Sequence, residues 1–437
     1  MACDDCHNKQ GAHAATYVNE GWKRLEPSQI SKASGKQVSA VSDSVILVIN
    51  TGSSSLKLGL YLERNGEEQL LLNGLADGIG GSKGRLQLRD GTGRTLQSES
   101  RPFATQQDAL REATSWIAGS FQGSLSAVGH RVVHGGPRLL AHQRITPPVL
   151  QELRTCTHFA PLHIPMALAL IEEVEQSYPG VPQIACFDTA FHNTMPEAAT
   201  RFALPRELFN EGIRRYGFHG LSYESIIFQL GRDLPDRTVI AHLGNGASLA
   251  AIRKGKSVDT TMGLTPTGGI PMATRSGDLD PGVLLYLLRA KHANADSLET
   301  LLNHDAGLKA LSGDKSDMRD LEVAADGGDQ GAHLAIEIFC TAIRKTIAAH
   351  AAVLGGLDML VFAGGIGEHS NCVRHGVCRG LDFLGITLDD LGNQSNRRMI
   401  STEESRVKVC VVASEEDRMI ARHCRAIVRN TGISETS

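Results

Sequence analysis

The sequence predicts an α/β fold made of two related domains. Strand-like aliphatic runs alternate with helical segments along most of the 437 residues, which is the pattern of an α/β architecture. A strand, a tight turn of small residues and a second strand occur near residue 50 and again near residue 245. A repeat at that distance indicates two domains that each open with the same hairpin.

The first hairpin begins with residues 45–49, a continuous aliphatic run that predicts a buried strand, and resumes at 56–61 after a turn. The second hairpin uses 238–242 and 249–252 around a similar turn. The two segments align with Ser55 on Ser248. Both turns consist mainly of small residues, so their backbone N–H groups are accessible to a ligand.

Three helices are predicted from apolar spacing and end signals. The first covers 161–178, with Pro161 near its first turn. Another begins at Asp280 as N-cap with Pro281 at the first helical position, and a long one covers 333–354 and ends at two glycines. A strand at 359–362 follows. The apolar stretch 347–366 is therefore predicted to be buried helix plus strand rather than a membrane span.

Charge and cysteine usage exclude several classes of function. The net charge is −4 and no basic stripe occurs, so we expect no nucleic-acid partner and no membrane partner. The nine cysteines are odd in number and irregularly spaced, which favours reduced thiols and a cytoplasmic location. Residues 1–43 are polar and without period, which predicts a mobile N-terminal extension; an organelle-targeting segment is the alternative, against which its acidic residues argue.

Three small-residue turns are candidate phosphate or nucleotide sites. In the first, Asn50, Ser53, Ser55 and Lys57 could supply amide, hydroxyl and ammonium donors to an anion. The turn 244–248 has the same character in the second half, and 364–368 follows a strand. The alternatives are an ordinary hairpin turn for the first two and a strand-to-helix turn for the third.

Charged side chains near glycines are candidates for catalysis. Arg131 and Arg275 are suited to neutralising a phosphoryl group or gripping a carboxylate, although a surface ion pair is the commoner role of an arginine. His219 lies between glycines, and His163 and His192 are weaker candidates. Asp188 follows the apolar run 183–187, where the carboxyl end of a strand faces the ligand crevice in many α/β sheets. Residues 414–418 could cap a helix or help to hold Mg²⁺.

Eight segments, in order, resemble the acetate kinase family, which belongs to the sugar-kinase, chaperone-ATPase and actin superfamily. They are residues 48–57, 129–136, 187–192, 215–220, 242–248, 274–281, 363–368 and 416–422. The resemblance implies two duplicated ribonuclease-H-like domains around an active-site cleft. It implies an N-terminal domain of 44–191 plus 415–437, which includes the C-terminal helix, and a C-terminal domain of 192–414 for nucleotide binding and dimerisation.

The same resemblance implies a reaction. A homodimer would transfer a phosphoryl group between ATP and acetate, giving ADP and acetyl phosphate, directly in line and with Mg²⁺ or Mn²⁺. The implied catalytic residues are Arg131, Arg275, Asp188, His219, His163 and Asn245. The implied nucleotide and phosphate site is Asn50, Ser53, Ser55, Lys57, His242, Leu243, Gly244, Asn245, Gly246, Gly364, Gly365, Ile366 and Gly367. The implied metal ligands are Asn50 and Glu416, and the implied acyl pocket is Val133, Leu162, Phe218 and Pro266.

The sequence departs from the family pattern at a few positions. Tyr223 stands where histidine is typical, Thr267 and Gly268 replace a Leu-Glu pair, and Asp417 replaces a glutamate. The changes beside Pro266 leave acetate against propionate open, although Val133 favours the smaller acid. A propionate or butyrate kinase is therefore one alternative, and an ATP-dependent binding protein of the same superfamily is another. Pyrophosphate in place of ATP is disfavoured by the glycine-rich segment at 364–368.

Overall fold

A computed structural model describes residues 45–52, 55–120, 124–161 and 163–432, with the backbone alone at 431–432. All of these residues belong to one compact unit, residues 43–437. The prediction for residues 1–43 lies outside the described residues.

The first sheet has eight described strands in the order β5-β4-β3-β2-β1-β6-β8-β7. Strands β1, β2 and β3 are an antiparallel meander, whereas β6 and β8 run parallel to β1. The bounds are β1 Val45–Thr51, β2 Leu56–Arg64, β3 Glu67–Asp77, β4 Arg85–Asp90, β5 Thr95–Ser100, β6 Leu125–Val132, β7 Gln143–Arg144 and β8 Gln183–Phe187.

The second sheet has five described strands in the order β11-β10-β9-β12-β13. Here β9, β10 and β11 form the antiparallel meander, and β12 and β13 run parallel to β9. The bounds are β9 Arg237–Leu243, β10 Ala247–Arg253, β11 Lys256–Thr260, β12 Met359–Ala363 and β13 Lys408–Val411.

The two sheets share one core topology. The order β3-β2-β1-β6-β8 of the first matches β11-β10-β9-β12-β13 of the second, strand by strand and in direction. The hairpins that repeat in the sequence are the first two strands of each core. The predicted fold class, a duplicated ribonuclease-H-like α/β fold, is therefore confirmed, whereas the domain bounds at 191 and 414 stay predictions.

Helices cover the sheets and fill the connections between the parallel strands. Their bounds are α1 Gln106–Ser120, α2 Pro147–Thr155, α3 Ile164–Ser177, α4 Glu197–Thr200, α5 Arg206–Asn210, α6 Gly220–Leu230, α7 Pro281–Ala290, α8 Ala295–His304, α9 Gly307–Ser312, α10 Met318–Asp326, α11 Gln330–Leu354, α12 Gly364–His369, α13 Asn371–Cys378, α14 Asp390–Gln394 and α15 Glu416–Gly432.

The C-terminal helix α15 packs on the first sheet although it follows the last strand of the second. Met419, Ile420 and Cys424 are buried in one apolar cluster with Ile46 and Val48 of β1. This packing places the first turn of α15 beside the end of β1, where Glu416 and Asp417 contact Asn50.

The predicted helix ends are correct with two exceptions. Asp280 caps α7 by accepting from the N–H of Gly282, and α11 ends at Gly355 in the left-handed region. The helix predicted from Pro161 begins instead at Ile164, because Pro165 rather than Pro161 occupies the first turn, where a missing N–H costs nothing. Helix α11 begins three residues earlier than predicted, since Asp329 supplies a cap.

The cysteines and the helices bear on two further expectations. The seven cysteines within the described residues are all free thiols, in agreement with the predicted reduced state. Within the described part of the chain, no helix combines the length and the apolar character needed to cross a membrane.

Candidate active site

Arg131 and Asp188 form a buried ion pair at the carboxyl ends of two neighbouring parallel strands. Arg131 lies on β6 and Asp188 follows β8 directly, so the sheet itself brings them together. Nε of Arg131 donates to both carboxylate oxygens at 3.0 and 3.1 Å, and Nη2 donates to Oδ2 at 2.7 Å. Nη1 donates to Oδ1 of Asn50, at the end of β1, at 3.1 Å.

The guanidinium of Arg131 keeps part of its donor capacity. Of its five N–H groups, the described contacts use one on Nε, one on Nη2 and one on Nη1. Burial would lower the pKa of Arg131, but the charge of Asp188 and then that of Glu416 raise it above the ordinary value. Two N–H bonds of a firmly held cation thus remain for a ligand.

A group of carboxylates surrounds Asn50 where β1 meets α15. Nδ2 of Asn50 donates to Oε2 of Glu416 at 3.2 Å and to Oδ1 of Asp417 at 2.7 Å. Burial raises the pKa of Asp188 against the pull of Arg131, and burial also raises the pKa of Asp417. The pKa of Glu416 is lowered: burial alone would raise it, but the charges of Arg131, His242 and Lys57 and the hydrogen bond from Asn50 together outweigh that effect.

These carboxylates fit a hard divalent cation. Among the described residues, the carboxylates Asp188, Glu416 and Asp417 lie near two basic side chains, Arg131 and Lys57, and near the imidazoles of His142 and His242. Burial is the main cause of the raised pKa of Asp417, and the negative charge of Glu416 adds to it. Carboxylate and amide oxygens are the ligands that Mg²⁺ prefers, so Glu416, Asp417 and Asn50 could hold it, with Asp188 close by. The sequence analysis includes Asp417 only within the run 414–418 and names Glu416 and Asn50 as the metal ligands.

Arg275 lies on the other side of the site, beside His219. An added Cβ on Gly246 would come within 3.3 Å of Nε2 of His219 and 3.4 Å of Nη1 of Arg275. The glycine therefore leaves a cradle lined by an imidazole and a guanidinium. Burial lowers the pKa of Arg275, and the charge of Arg131 lowers it further, so the two guanidinium groups lie within electrostatic range of each other.

Arg275 is held by one strong contact. Its Nη1 donates to the carbonyl oxygen of Pro266 at 3.1 Å, which leaves most of its N–H groups uncommitted within the described contacts. His163, the N-cap of α3, lies within electrostatic range of both arginines. Its pKa is lowered to about 4 mainly by burial, and the charges of Arg275 and then Arg131 lower it further. The three basic side chains expected from the sequence are thus brought together.

Two imidazoles stack face to face in the site. The ring centroids of His219 and His242 are 4.3 Å apart with an angle of 27° between the planes. Nδ1 of His219 is 2.8 Å from the hydroxyl of Ser248, and Nδ1 of His242 is 2.8 Å from that of Ser222. His219 has a left-handed backbone, with φ of 59°, a strained conformation that is characteristic of functional positions.

The two turns that the sequence predicts to bind phosphate each connect the first two strands of a core, β1 with β2 and β9 with β10. The N–H of Gly52 donates to the carbonyl of Ser55 at 2.9 Å, and that of Gly244 donates to the carbonyl of Gly246 at 3.0 Å. Lys57 pairs with Asn50 across β1 and β2, and its side chain is exposed. Asn245 is exposed, and its carbonyl accepts from Ala273. Ser53 lies outside the described residues.

The glycine-rich segment after β12 begins helix α12 against the second phosphate turn. Gly364 has φ of 73°, and a Cβ there would lie 2.7 Å from the carbonyl oxygen of Leu243, so only glycine fits. Arg374, which is fully buried, fixes the end of this helix by donating to the carbonyls of Gly367 and Glu368 at 2.9 and 3.0 Å. Burial lowers the pKa of Arg374 to about 10.

Two of the residues expected to form an apolar wall of the acyl pocket lie in one cluster. Phe218 is buried in the core cluster of the second sheet, and Val133 packs against that cluster. The carbonyl oxygen of Pro266 accepts a hydrogen bond from Arg275. Leu162 lies outside the described residues. Sequence reasoning missed His134, whose buried ring stacks on Phe159 with centroids 5.1 Å apart.

His134 occupies a defined tautomer. Its Nδ1 accepts from the N–H of Gly136 at 2.8 Å, so Nε2 carries the proton and donates to the carbonyl of Leu264 at 3.2 Å. This bond ties the strand end that carries Val133 to the loop that carries Pro266. The sequence offers only a weak sign of this role: His134 is the second histidine of the segment 129–136, and the residues on either side of it in the sequence are uncharged.

His192, a weaker catalytic candidate in the sequence, has a structural role. Both of its ring nitrogens are engaged, one with the hydroxyl of Ser257 at 2.9 Å and the other with the carbonyl of Phe218 at 2.9 Å. It is a satisfied structural histidine that holds the backbone of Phe218.

A second titratable cluster joins three elements behind the site. Nε2 of His423 and Nε2 of His142 lie 2.8 and 3.4 Å from the same oxygen of Glu224. Two histidines and a carboxylate are a zinc-type set, and these three atoms lie close enough to share a metal ion. However, Nδ1 of His142 accepts from the N–H of Phe187 at 3.0 Å, so the neutral ring carries its proton on Nε2. That atom donates to Glu224 and has no lone pair for a metal.

Comparison with known proteins gives a consistent picture. The model of the acetokinase family matches residues 45–422. The acetate kinase of Methylocella silvestris is 44% identical over 400 residues, covering 88% of this chain and 98% of that protein. The crystal structure of Porphyromonas gingivalis acetate kinase has a TM-score of 0.79 at 38% identity, and that of a propionate kinase from Francisella tularensis has 0.81 at 34%; each match covers 88% of this chain and 100% of the other.

Proposed function

The chain belongs to the acetokinase family, and we propose that it catalyses the reversible transfer of the terminal phosphoryl group of ATP to acetate, giving acetyl phosphate and ADP. The observation that carries this proposal is the cradle at Gly246, which His219 and Arg275 line and whose charge Arg131 influences, together with the apolar cluster that contains Phe218 and Val133. An actin-like or chaperone-like ATPase needs phosphate turns but has no use for two arginines next to a small apolar pocket.

The chemistry requires charge neutralisation and alignment. A carboxylate is ionised at neutral pH and is itself the nucleophile, so no strong general base is needed. One of its oxygens would form a bond to the terminal phosphorus as the bond from that phosphorus to the bridging oxygen breaks and ADP leaves. The transferring group carries negative charge on its equatorial oxygens. The free N–H groups of Arg131 and Arg275 would neutralise this charge, and Nε2 of His219 would donate a hydrogen bond to it.

The carboxylates at the end of β1 would hold the divalent cation. Glu416, Asp417 and Asn50 supply oxygens of the required type to hold Mg²⁺ or Mn²⁺, which would supply positive charge to neutralise the phosphates of ATP. The glycines at 364–367 would accept the nucleoside, since their backbone allows a flat ligand to approach closely.

The apolar wall supports a small acid. Val133 and Phe218 line it, and the hydroxyl of Thr267 donates to Oδ1 of Asn303 at 2.6 Å. One methylene in such a pocket changes discrimination by about 10–200-fold. We expect acetate to be the better substrate. Propionate is the second candidate, because a propionate kinase is among the structures of the same fold.

A hydroxamate assay for acyl phosphate tests both proposals. The purified full chain is incubated with ATP and Mg²⁺ and with acetate, propionate or butyrate, and pyrophosphate replaces ATP in a parallel series. The proposal predicts the highest kcat/KM with acetate and ATP and no turnover after the metal is removed by EDTA. A higher kcat/KM for propionate would identify a propionate kinase, and acid-independent ATP hydrolysis would identify a binding protein.

We also propose that the molecule is a homodimer formed through α7. This helix is largely aliphatic, yet none of its residues is buried: Leu285 is 48% exposed and Tyr286 56%. A helix that is apolar on all sides is normally buried, and Leu279 and Leu301 extend the exposed surface. A second copy of the chain is the occupant that such a surface favours. Light scattering should give twice the chain mass, and Leu285→Glu should give a monomer; a monomeric wild type would contradict the proposal.

A further inference from the structure

Tyr223 lies behind the stacked histidines and is fully buried in α6. Its hydroxyl is 2.5 Å from the hydroxyl of Ser248, and the Ser248 hydroxyl is 2.8 Å from Nδ1 of His219. Tyr223 and Ser248 are both 0% exposed, and His219 is 8% exposed. The three groups form a chain of hydrogen bonds that begins in the core and ends at the cradle beside Gly246.

The direction of this chain follows from the number of protons. Tyr223 has one hydroxyl proton, and Ser248 is its hydrogen-bond partner within the described residues, so that proton points at Ser248. The single proton of Ser248 then points at Nδ1 of His219, which must accept it. If Nδ1 carried the proton instead, three protons would share two hydrogen bonds, and the buried hydroxyl proton of Tyr223 or of Ser248 would be left without an acceptor among these groups.

The other ring nitrogen therefore carries the proton. Nε2 of His219 faces the space that a Cβ on Gly246 would occupy, next to Nη1 of Arg275. Burial lowers the pKa of His219 well below its usual value, and the neighbouring His242 and the charges of Arg131 and Arg275 lower it further. The ring is thus neutral at the pH of the cell and has one fixed donor, which points into the cradle.

We propose that Tyr223 and Ser248 are positioning residues that hold His219 in the tautomer with its proton on Nε2, so that it presents a donor and not a lone pair to the transferring phosphoryl group. This inference rests on the proposed kinase function for its role, although the tautomer itself does not. A lone pair on Nε2 would repel the phosphoryl oxygens. The hydroxyls therefore act through His219 without touching substrate.

Removing the phenol hydroxyl should release this constraint with little change in packing. In Tyr223→Phe the ring remains, but the Ser248 hydroxyl loses the donor that orients and polarises it, so it holds Nδ1 less firmly and the tautomer with the proton on Nδ1 becomes more populated. Ser248→Ala removes the partner of Nδ1 altogether. Removing a transition-state donor outright costs about 10²–10³ in kcat. We expect a drop of about tenfold for Tyr223→Phe and about 10² for Ser248→Ala, with KM for acetate within about twofold in each variant.

The test combines kinetics with ¹⁵N spectra of the histidine side chains in the full chain. The signals of His219 are assigned by their loss in His219→Gln. The wild type should show a protonated Nε2 and an unprotonated Nδ1, and Tyr223→Phe should show averaged shifts. Tyr178→Phe is the matched control: Tyr178 is the C-cap of α3 and packs against the core of the first sheet, whereas Tyr223 is buried in a cluster of the second sheet, so both the shifts and kcat should stay at wild-type values. Circular dichroism verifies the fold of each variant.

The outcomes separate the two proposals. A wild-type His219 protonated on Nδ1 would overturn the inference, and so would a Tyr223→Phe variant that keeps both the wild-type shifts and the wild-type kcat. A higher KM for acetate with unchanged kcat in Tyr223→Phe or Ser248→Ala would also overturn the inference. The tautomer of His219 is expected to affect the transferring phosphoryl group and not the binding of acetate. If the wild type shows no acetate-dependent turnover, the proposed function fails while the spectra still decide the tautomer.

Discussion

Replacing Arg131 by alanine removes a cation from a position that faces a nearly inaccessible carboxylate. The side chain of Asp188 is 2% exposed and receives contacts of 3.0, 3.1 and 2.7 Å from Arg131. Removing one partner of a buried ion pair costs about 3–5 kcal/mol, because the other charge stays buried without compensation. Asn50 also loses the donor to its Oδ1. We therefore expect a loss of stability of that size in addition to a loss of catalysis.

The loss of stability should depend on pH. Burial already raises the pKa of Asp188, and without Arg131 the pKa rises further. A carboxyl group with a higher pKa in the folded state binds more protons there than in the unfolded chain, so stability falls as pH rises from about 4 towards the folded pKa. The difference between Arg131→Ala and wild type should thus be larger at pH 8 than at pH 5.

A double variant separates the stability effect from the catalytic one. Urea unfolding is measured at both pH values for wild type, Arg131→Ala, Asp188→Asn and the double variant, together with kcat for acetate. The double variant should recover at least half of the stability lost in Arg131→Ala, because no buried charge is left unpaired. Its kcat should remain lower by about 10³ or more, since the phosphoryl clamp is absent. The reasoning would be refuted if Arg131→Ala were as stable as wild type at pH 8, or if its kcat were within tenfold of the wild-type value.

Three further changes test other parts of the site. Glu224→Gln removes a carboxyl group whose pKa is lowered to about 2 by hydrogen bonds from two histidines, against the effect of burial. The unfolding free energy should fall by about 3 kcal/mol at pH 7. The difference from wild type should vanish as pH falls from about 5 to 2. Gly246→Ala puts a methyl group 3.3–3.4 Å from two site nitrogens and should lower kcat at least tenfold, whereas Gly119→Ala, which meets open space, should not. Arg374→Met releases the end of α12 and should raise KM for ATP about tenfold, the equivalent of about 1.4 kcal/mol, with KM for acetate unchanged.

The fold could be predicted from the sequence because its signals are local. The run 45–49 is aliphatic throughout since β1 is buried on both faces in the middle of a sheet. Asp280 with Pro281, and the glycines after Leu354, mark helix ends through backbone chemistry alone. The error at Pro161 has the same origin: two prolines lie four residues apart, and pattern alone does not show which one occupies the first turn.

The site could be predicted only in part, because it is assembled from distant segments. Arg131, Asp188 and Arg275 stand out as charged residues beside glycines or strand ends, and the structure brings them together. Asp417 stands out only as part of the acidic run 414–418, and Arg374 does not stand out. Asp417 acquires its environment when α15 returns to β1, 367 positions from Asn50, and Arg374 resembles a surface arginine until the carbonyls of α12 surround it.

Tyr223 shows why a departure from a family pattern can mark function rather than drift. At the sequence level it is an aromatic residue in an amphipathic helix, where burial in the core is the default explanation. The core explanation is correct, since the ring is fully buried, but it does not account for the hydroxyl, whose burial is costly without a partner. The partner is Ser248, in the repeated hairpin turn of the second sheet, and through it the proton reaches His219. A buried hydroxyl with one acceptor fixes the direction of every bond after it, so a residue that touches no ligand determines which nitrogen of the histidine faces the phosphoryl group.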